Sequence, residues 1–446
     1  MSDTARPPGH TGTAQGVRIP TGRWRRMARM GRLTAGLAGN VAARGSLQVL
    51  QGQRPHLTDL LLTPGNMTRV ADQLARMRGA AMKAGQLLSM ETSDLLPPEL
   101  ATILARLRAE AHYMPPAQLK QVLIANWGRD FLRHFTRFDV RPLAAASIGQ
   151  VHRAVSKDGR DLAVKVQYPG IRDSIDSDMR NLGFMLRASG RIPDSFDTDR
   201  LLQDAARQLH EETDYEREAQ ALDRFAVYFA DDPDFIVPDV HSDLCSRNIL
   251  TMTYASGVPV EAVADMDQTT RDRVATALVT LTLRELFELR DMQTDPNFAN
   301  YLYQPDSGRV VLLDFGATCQ FTPAMTDGYR ALYRAAVRAD DDMAFQAMNE
   351  IGLVAPGTSR RDRAHILRIF NMAAEPLRRG GVLDFGTSGL LAQLRREGLV
   401  LADEQVALAA PPGDTLLLQR KILGCYLLAE RLRARVDLDP LIARFL

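Results

Sequence analysis

The sequence predicts an α+β fold made of a helical preface, a small antiparallel sheet with one long helix, and a mostly helical second half. Three observations predict it. Apolar residues recur at helical spacing from Val70 through Leu74, Met77, Ala81 and Ala84 to Leu88, the mark of an amphipathic helix. Between Ile148 and Gln167 the pattern changes to strand alternation on either side of Lys157-Asp158-Gly159, which reads as a hairpin turn. Farther on, four apolar residues, Val310-Val311-Leu312-Leu313, end on Asp314-Phe315-Gly316. That pattern is a buried strand that delivers a carboxylate to the lip of a cleft.

Composition narrows the function classes. The chain has 446 residues with 55 Lys and Arg against 54 Asp and Glu, a formal net charge of +1. General electrostatic capture of nucleic acid is therefore not expected, and no nucleic-acid partner is assigned. Hydrophobic residues at 45% and charged residues at 24% are those of a globular protein long enough for two or three units. Cys245, Cys319 and Cys425 are odd in number and far apart, so they form neither a disulfide framework nor a metal pair and fit a reducing compartment. No uncharged apolar run reaches 18 residues, so no membrane span is expected. Lysine is scarce: Lys83, Lys120, Lys157, Lys165 and Lys421 are the only five. Each survivor is a candidate for work that a guanidinium cannot do.

From Asp3 to Asp59 there is no acidic residue between the two, while nine arginines fall in that window. A solvated tail leading to a docking helix, a segment lying on an anionic membrane surface, and an organelle transit peptide all fit this pattern. Helices follow over 66–90, stopped at Pro97-Pro98, then from Leu100 to Ala111, then from near Pro115-Pro116. After the hairpin come a long helix from Asp199 to Phe229 and short strands at 235–237 and 249–254. A helix over 269–289 precedes a second hairpin, 301–314, turning at Pro305-Asp306-Ser307-Gly308, and helical sequence runs to the end. The division expected is a basic extension over 1–60, a helical extension over 61–135, a sheet-bearing lobe over 136–257 and a helical lobe over 258–446.

The chemistry gathers around three residues. Asp295 is followed five positions later by Asn300, then by a strand pair, then by Asp314. This is the order of the catalytic and metal-binding loops of protein kinases. One carboxylate and one amide oxygen suit Mg²⁺, which prefers hard oxygen ligands and keeps sites open for phosphate oxygens. Such a site also needs a cation for the phosphates. Lys165, within Leu162-Ala163-Val164-Lys165-Val166, stands on a strand with apolar neighbours. A solvent-facing strand lysine is the plainer reading, and the scarcity of lysine argues against it. The acidic run Glu211 to Glu218 places Glu212 with Glu216, and Asp214 with Glu218, at like-charge i,i+4 spacing. Those pairs destabilise a helix unless cations answer them, and Lys165 and Lys83 are the candidates. Ala144-Ala145-Ala146-Ser147 stands where a kinase carries its glycine-rich phosphate loop. Four small residues also make an ordinary tight turn, and alanine lacks the positive φ that glycine reaches.

With these residues assembled, the chain resembles the UbiB family of atypical kinase-like proteins, in its coenzyme Q branch, from about Thr68 to Leu432. Lys83-Ala84-Gly85-Gln86 matches the family's K-x-G-Q signature. Ala144 to Gln150 with Val151-His152 matches its Ala-rich loop, and Glu212-Thr213-Asp214 its E-x-D motif. Met292 to Asn300 has the coenzyme Q form of the catalytic loop, and Leu312 to Thr318 and Gln419-Arg420-Lys421 also fit.

The resemblance implies a bilobal kinase-like fold whose helical N-terminal extension packs over the active site. It implies Mg²⁺ and ATP as cofactors, with Lys165 and the Ala144 to Ser147 loop at the phosphates and Asn300 and Asp314 on the metal. Asp295 would orient the nucleophile. Lys83 and Gln86 would lie across the site, with Lys83 near Glu212 and Asp214. Glu218 would be the helix partner of Lys165, with Glu212 as the alternative that the sequence leaves open. Gln293 and Thr294 stand where typical kinases have His and Arg, so regulation by an activation-loop phosphate is not expected; the preface over the cleft and the lack of an Ala-Pro-Glu after Asp314 disfavour protein phosphorylation. The implied role is ATP-dependent chemistry for ubiquinone biosynthesis, with quinone-precursor lipids, a membrane surface and ubiquinone biosynthesis proteins as partners. The implied location is cytoplasmic and peripheral to the inner membrane in a bacterium, or the matrix side of the mitochondrion in a eukaryote. A nucleotide-sensing scaffold with negligible turnover is the alternative. If Lys83 answers Glu212 and Asp214, Lys83→Ala lowers unfolding free energy by about 3 to 5 kcal/mol or releases the preface helix. Denaturant unfolding and limited proteolysis read the two outcomes, and a variant unchanged in both refutes the pairing.

Overall fold

In the computed structural model the described residues are 113–446, apart from 147, 189–197, 356 and 404–412. The helices expected over 66–90 and 100–111, and with them Lys83, Gln86 and the packing of the extension, lie outside these residues. The chain divides into two compact units. One runs to Gln220 and takes in Asp239–Tyr254; the other comprises Ala221–Pro238 and Ala255–Leu446.

Among the described residues the first helix of this unit is α1 (Pro116–Trp127), with proline at its start, where the lost N–H is an orphan anyway. Its strands are β1 (Phe135–Phe138), β2 (Ala144–Ala145), β3 (Gly149–Ser156), β4 (Asp161–Gln167) and β6 (Ile249–Thr253), with β5 belonging to the second unit. They form an antiparallel sheet in the order β1-β3-β4-β6, and β2 adds to β3. Alternation of buried and half-exposed positions along β3 puts Gln150, His152 and Ala154 inside. The turn falls where the sequence places it: Gly159, at φ +90°, donates its N–H to Ser156 O at 3.2 Å. Trp127, Phe135 and Phe138 form an aromatic cluster with ring centroids 5.3 to 6.5 Å apart, fixing α1 against the sheet.

A buried polar chain ties Met114, just before α1, to β3. Met114 N–H donates to Gln150 Oε1 at 2.7 Å, Gln150 Nε2 lies 2.8 Å from His152 Nε2, and His152 Nδ1 lies 2.8 Å from Asp139 O. Burial pushes His152 below the usual imidazole range, against the opposing pull of the Asp139 carbonyl, and the neutral ring fits one donor and one acceptor.

Helices α2 (Ile171–Ala188), α3 (Thr198–Glu212) and α4 (Tyr215–Tyr228) follow. The single long helix expected over 199–229 is thus two helices. Asp214 makes the break: its Oδ1 accepts from Arg217 N at 3.1 Å while its carbonyl accepts from Glu218 N at 3.1 Å. That is an N-cap, and Glu216 and Glu218 in the first turn of α4 suit the positive end of the helix dipole. Glu212 and Glu216 consequently sit on different helices, so their expected i,i+4 repulsion does not arise.

In the second unit β5 (Phe235–Ile236), β7 (Val258–Pro259), β9 (Tyr301–Gln304) and β10 (Arg309–Leu312) form a sheet in the order β5-β10-β9-β7. Helix α5 (Gln268–Arg284) is capped by Asp267, whose side chain accepts from Thr270 N at 2.9 Å. It passes into a π-helical turn, Glu285–Leu289, that ends at Arg290 with φ 54°. Then come β8 (Asp291–Gln293), β11 (Thr318–Gln320), α6 (Pro323–Arg338), α7 (Asp341–Glu350), α8 (Arg360–Arg379) and β12 (Val382–Asp384). The last elements are α9 (Leu390–Asp403), α10 (Gly413–Arg431), β13 (Arg435–Asp437) and α11 (Leu438–Ala443). The helical C-terminal half expected from sequence therefore also holds two strand pairs, β8 with β11 and β12 with β13. Three residues per strand are too few for alternation to register. Leu286, Met292, Leu418 and Ile442 lie in a shared core cluster that anchors β8 and α10.

Close packing supplies a test in the first unit. A Cβ on Gly149 would lie 2.5 Å from Val166 O and 2.8 Å from the Tyr215 hydroxyl. The obstructing atom is backbone, so Gly149→Ala is expected to cost about 1 to 3 kcal/mol in denaturant unfolding. An unaltered midpoint would mean that β3 and β4 do not approach this closely.

Candidate active site

Lys165 sits on the central strand β4, opposite Val151 of β3 and Leu250 of β6. It is 6% exposed, and its Nζ donates to Glu218 Oε1 at 2.7 Å and Oε2 at 3.0 Å. Glu218, in the first turn of α4, is 1% exposed. The Tyr215 ring lies under the ammonium, 5.2 Å from centroid to Nζ. Of the acidic run, then, Glu218 meets Lys165. Glu212, also buried, ends α3 within 3.5 Å of Gln208 Nε2, and Asp214 caps α4. The Ala-rich segment is the tip of a hairpin: Ala144 and Ala145 pair with Val151 and Gln150, and Ala146 N–H donates to Gly149 O at 2.9 Å. Ser147 lies outside the described residues.

The second unit carries the loop from Gln293 to Asn300. Asp295 is 9% exposed, and its carbonyl accepts from Gln293 Nε2 at 2.7 Å and from Asn300 Nδ2 at 3.3 Å. Its carboxylate lies 4.0 Å from Arg420 Nη2. Asn300 O accepts from Leu313 N at 3.0 Å, which fixes the strand end that carries Asp314 beside the loop. Asp314 Oδ1 accepts from Gly316 N at 3.0 Å, and Phe315 is buried with its ring 4.5 Å from that of Phe225. Thr294 is 2% exposed, and its N–H and hydroxyl both reach Ala317 O, at 2.8 and 3.2 Å.

Asn300 and Asp314 fit a magnesium ion by their chemistry. The Asn300 amide nitrogen is engaged with Asp295 O, so its remaining ligating atom is the oxygen, and Asp314 adds a carboxylate. Among the described residues no group of three or more His, Cys, Asp and Glu gathers into an all-protein cage. A sparse oxygen set of this kind leaves coordination positions for phosphate and water, as magnesium sites do.

Sequence reasoning marked Lys421 as a scarce lysine but gave it no role, and it did not single out Glu285 or Tyr301. Lys421 of α10 is 3% exposed and reaches Glu285 Oε2 at 3.1 Å, Gln293 Oε1 at 3.0 Å and the Tyr301 hydroxyl at 2.9 Å. Glu285 Oε1 also accepts the Gln293 backbone N–H at 3.2 Å. Burial opposes the charge on Lys421, but Glu285 and Tyr301 outweigh it and hold the ammonium above the usual lysine range. Burial likewise raises the Tyr301 phenol, which stays protonated. The scarcity of lysine was the available signal.

Residues 106–348 match the ABC1 atypical kinase-like domain. The chain is 38% identical over 428 residues to the mitochondrial atypical kinase COQ8B of Rattus norvegicus, covering 94% of this chain and 79% of that protein. It is 36% identical over 430 residues to the mitochondrial atypical kinase COQ8 of Saccharomyces cerevisiae, covering 95% and 85%. Among solved structures, the Rv3197–erythromycin complex from Mycobacterium tuberculosis aligns with a TM-score of 0.61 at 26% identity, covering 85% of this chain and 96% of that one. The expected α+β, kinase-like fold class is thereby met.

Helix α10 approaches the loop so closely that a Cβ on Gly424 would collide with the Pro296 ring. Gly424→Ala must displace the residue next to Asp295 and is expected to cost about 1 to 3 kcal/mol in denaturant unfolding. A variant as stable as its parent would contradict this packing.

Proposed function

This chain belongs to the ABC1 atypical kinase-like family, and from that premise we propose that it is an Mg-ATP-dependent atypical kinase or ATPase supporting ubiquinone biosynthesis. The observation that carries the nucleotide reading is the buried bidentate pair of Lys165 with Glu218. A lysine fixed by a glutamate on a neighbouring helix is the arrangement that kinases use to address the α and β phosphates. Asn300 and Asp314 hold the metal, which neutralises phosphate charge when bound. Asp295 orients the attacking oxygen of water or of a lipid hydroxyl and accepts its proton. Positioning and charge neutralisation carry most of such a reaction.

The quinone assignment is supported by the form of the Met292 to Asn300 loop and by the likeness to atypical kinases named COQ8. Buried Thr294 in place of a loop arginine argues against activation by a phosphorylated segment. The proposed substrate is a quinone-precursor lipid, met at the inner-membrane surface of a bacterium or the matrix side of a mitochondrion. Among the described residues no helix is long and apolar enough to cross a membrane, and the association proposed is peripheral.

Asp295→Asn is expected to lower Mg-ATP turnover by about 10²- to 10⁴-fold while the Mg-dependent thermal shift with nucleotide persists. Unchanged turnover, together with no Mg-dependent shift in the parent chain, refutes the reading. Single-turnover phosphate release measured on anionic liposomes carrying a quinone precursor separates catalysis from the nucleotide-sensing alternative, which requires release to stay negligible.

A further inference from the structure

We propose that Lys421 and Glu285 are positioning residues that brace the catalytic loop from within, so that the placing of Asp295 is built into helix α10 and the π turn. This rests on the role given above to Asp295. The Lys421 ammonium donates to Gln293 Oε1 and to the Tyr301 hydroxyl, and it pairs with the Glu285 carboxylate as an ion pair at 3.1 Å. Gln293 and Tyr301 stand immediately outside the segment Thr294 to Asn300, one at each end, so a single buried cation ties down both ends of the loop. The inner link continues from Gln293 Nε2 to the Asp295 carbonyl. Glu285 fixes the same corner through the backbone, accepting the Gln293 N–H.

Three features say that this arrangement serves more than cohesion. A buried ion pair contributes little net stability over well-packed apolar side chains, because desolvation offsets the attraction. The acid is delivered by a π-helical turn, a rare distortion that recurs at functional positions. And the kinase means of ordering this loop, an arginine answering a segment phosphate, is replaced by Thr294 bonded to Ala317 O. With no cation there, the order must come from elsewhere, and Lys421 provides it permanently.

The test uses the full chain with two variants, Lys421→Met combined with Glu285→Met, and Tyr301→Phe. Unfolding midpoint, amide hydrogen exchange and Mg-ATP turnover are measured on each. The double variant is expected to fold and to unfold cooperatively at a midpoint lowered by the stranded Gln293 N–H but not by a lone buried charge, its two charges having been removed together. Its Thr294 and Asn300 amides should exchange about tenfold faster or more while Val310 and Val311 in β10 stay protected. Turnover should fall about tenfold to a hundredfold, with KM for ATP nearly unchanged, because a loop misplaced by an ångström costs kcat. Tyr301→Phe, which deletes one hydroxyl, should move exchange and kcat in the same direction, and it carries the test alone if the double variant does not fold. Loop exchange unchanged in the variants, or loop and β10 loosening together, overturns the proposal in favour of plain structural support. If the parent chain turns over no Mg-ATP, the functional reading fails, and the exchange pattern still decides whether the brace exists.

Discussion

The cost of burying an ammonium group shapes both units of this protein. In the first, Lys165 is buried on the central strand of the sheet, and a charge there is tolerated only beside an opposite charge with good geometry. Glu218 supplies that geometry with both carboxylate oxygens. For Glu218 to point at β4, helix α4 must begin where it does, and the Asp214 cap sets that start. The break between α3 and α4 is therefore a condition of the ion pair. Loss of either partner would leave the other charge stranded in the core.

The second unit meets the same constraint with different means. Lys421 comes from a helix near the C-terminus, and its acid from the end of α5, where the backbone widens into a π turn before reversing at Arg290. Between them lie Gln293 and Tyr301, the two residues that frame the Thr294 to Asn300 loop. The Asp295 to Asn300 spacing thus rests on a partner more than a hundred residues away in sequence. Gly424 completes the arrangement by letting α10 come against Pro296.

How much of this was legible depends on range. The first hairpin, its turn at Gly159 and the helix expected over 269–289 are local patterns, and each stands where the sequence places it, while the strand expected to run to Asp314 stops at Leu312. The Asp214 cap was written in the sequence as Asp followed by an acidic turn, but the apolar periodicity ran through it and concealed the break. The three-residue strands of β8, β11, β12 and β13 are fixed by tertiary pairing and leave no alternation to read. Which acid meets Lys165 could not be decided from spacing, since Glu212 and Glu218 differ by less than two helical turns, and the cap between them decides it.

The two buried cations are lysines in a chain where 50 of the 55 Lys and Arg residues are arginine. Of the four lysines among the described residues, Lys120 and Lys157 are exposed, while Lys165 and Lys421 are buried against carboxylates. At Lys421 the pocket offers two hydrogen-bond acceptors, Gln293 and Tyr301, and one carboxylate, Glu285, within ion-pair distance, a set that a compact ammonium can satisfy. A guanidinium would bring five N–H groups in a rigid fork, leaving donors without partners where an unmade hydrogen bond costs about 1 to 3 kcal/mol. Whatever drives the chain toward arginine at the surface, it meets a steric and hydrogen-bonding limit in this pocket. That limit is physical, and it ties the composition of the whole sequence to the placing of one carboxylate, Asp295.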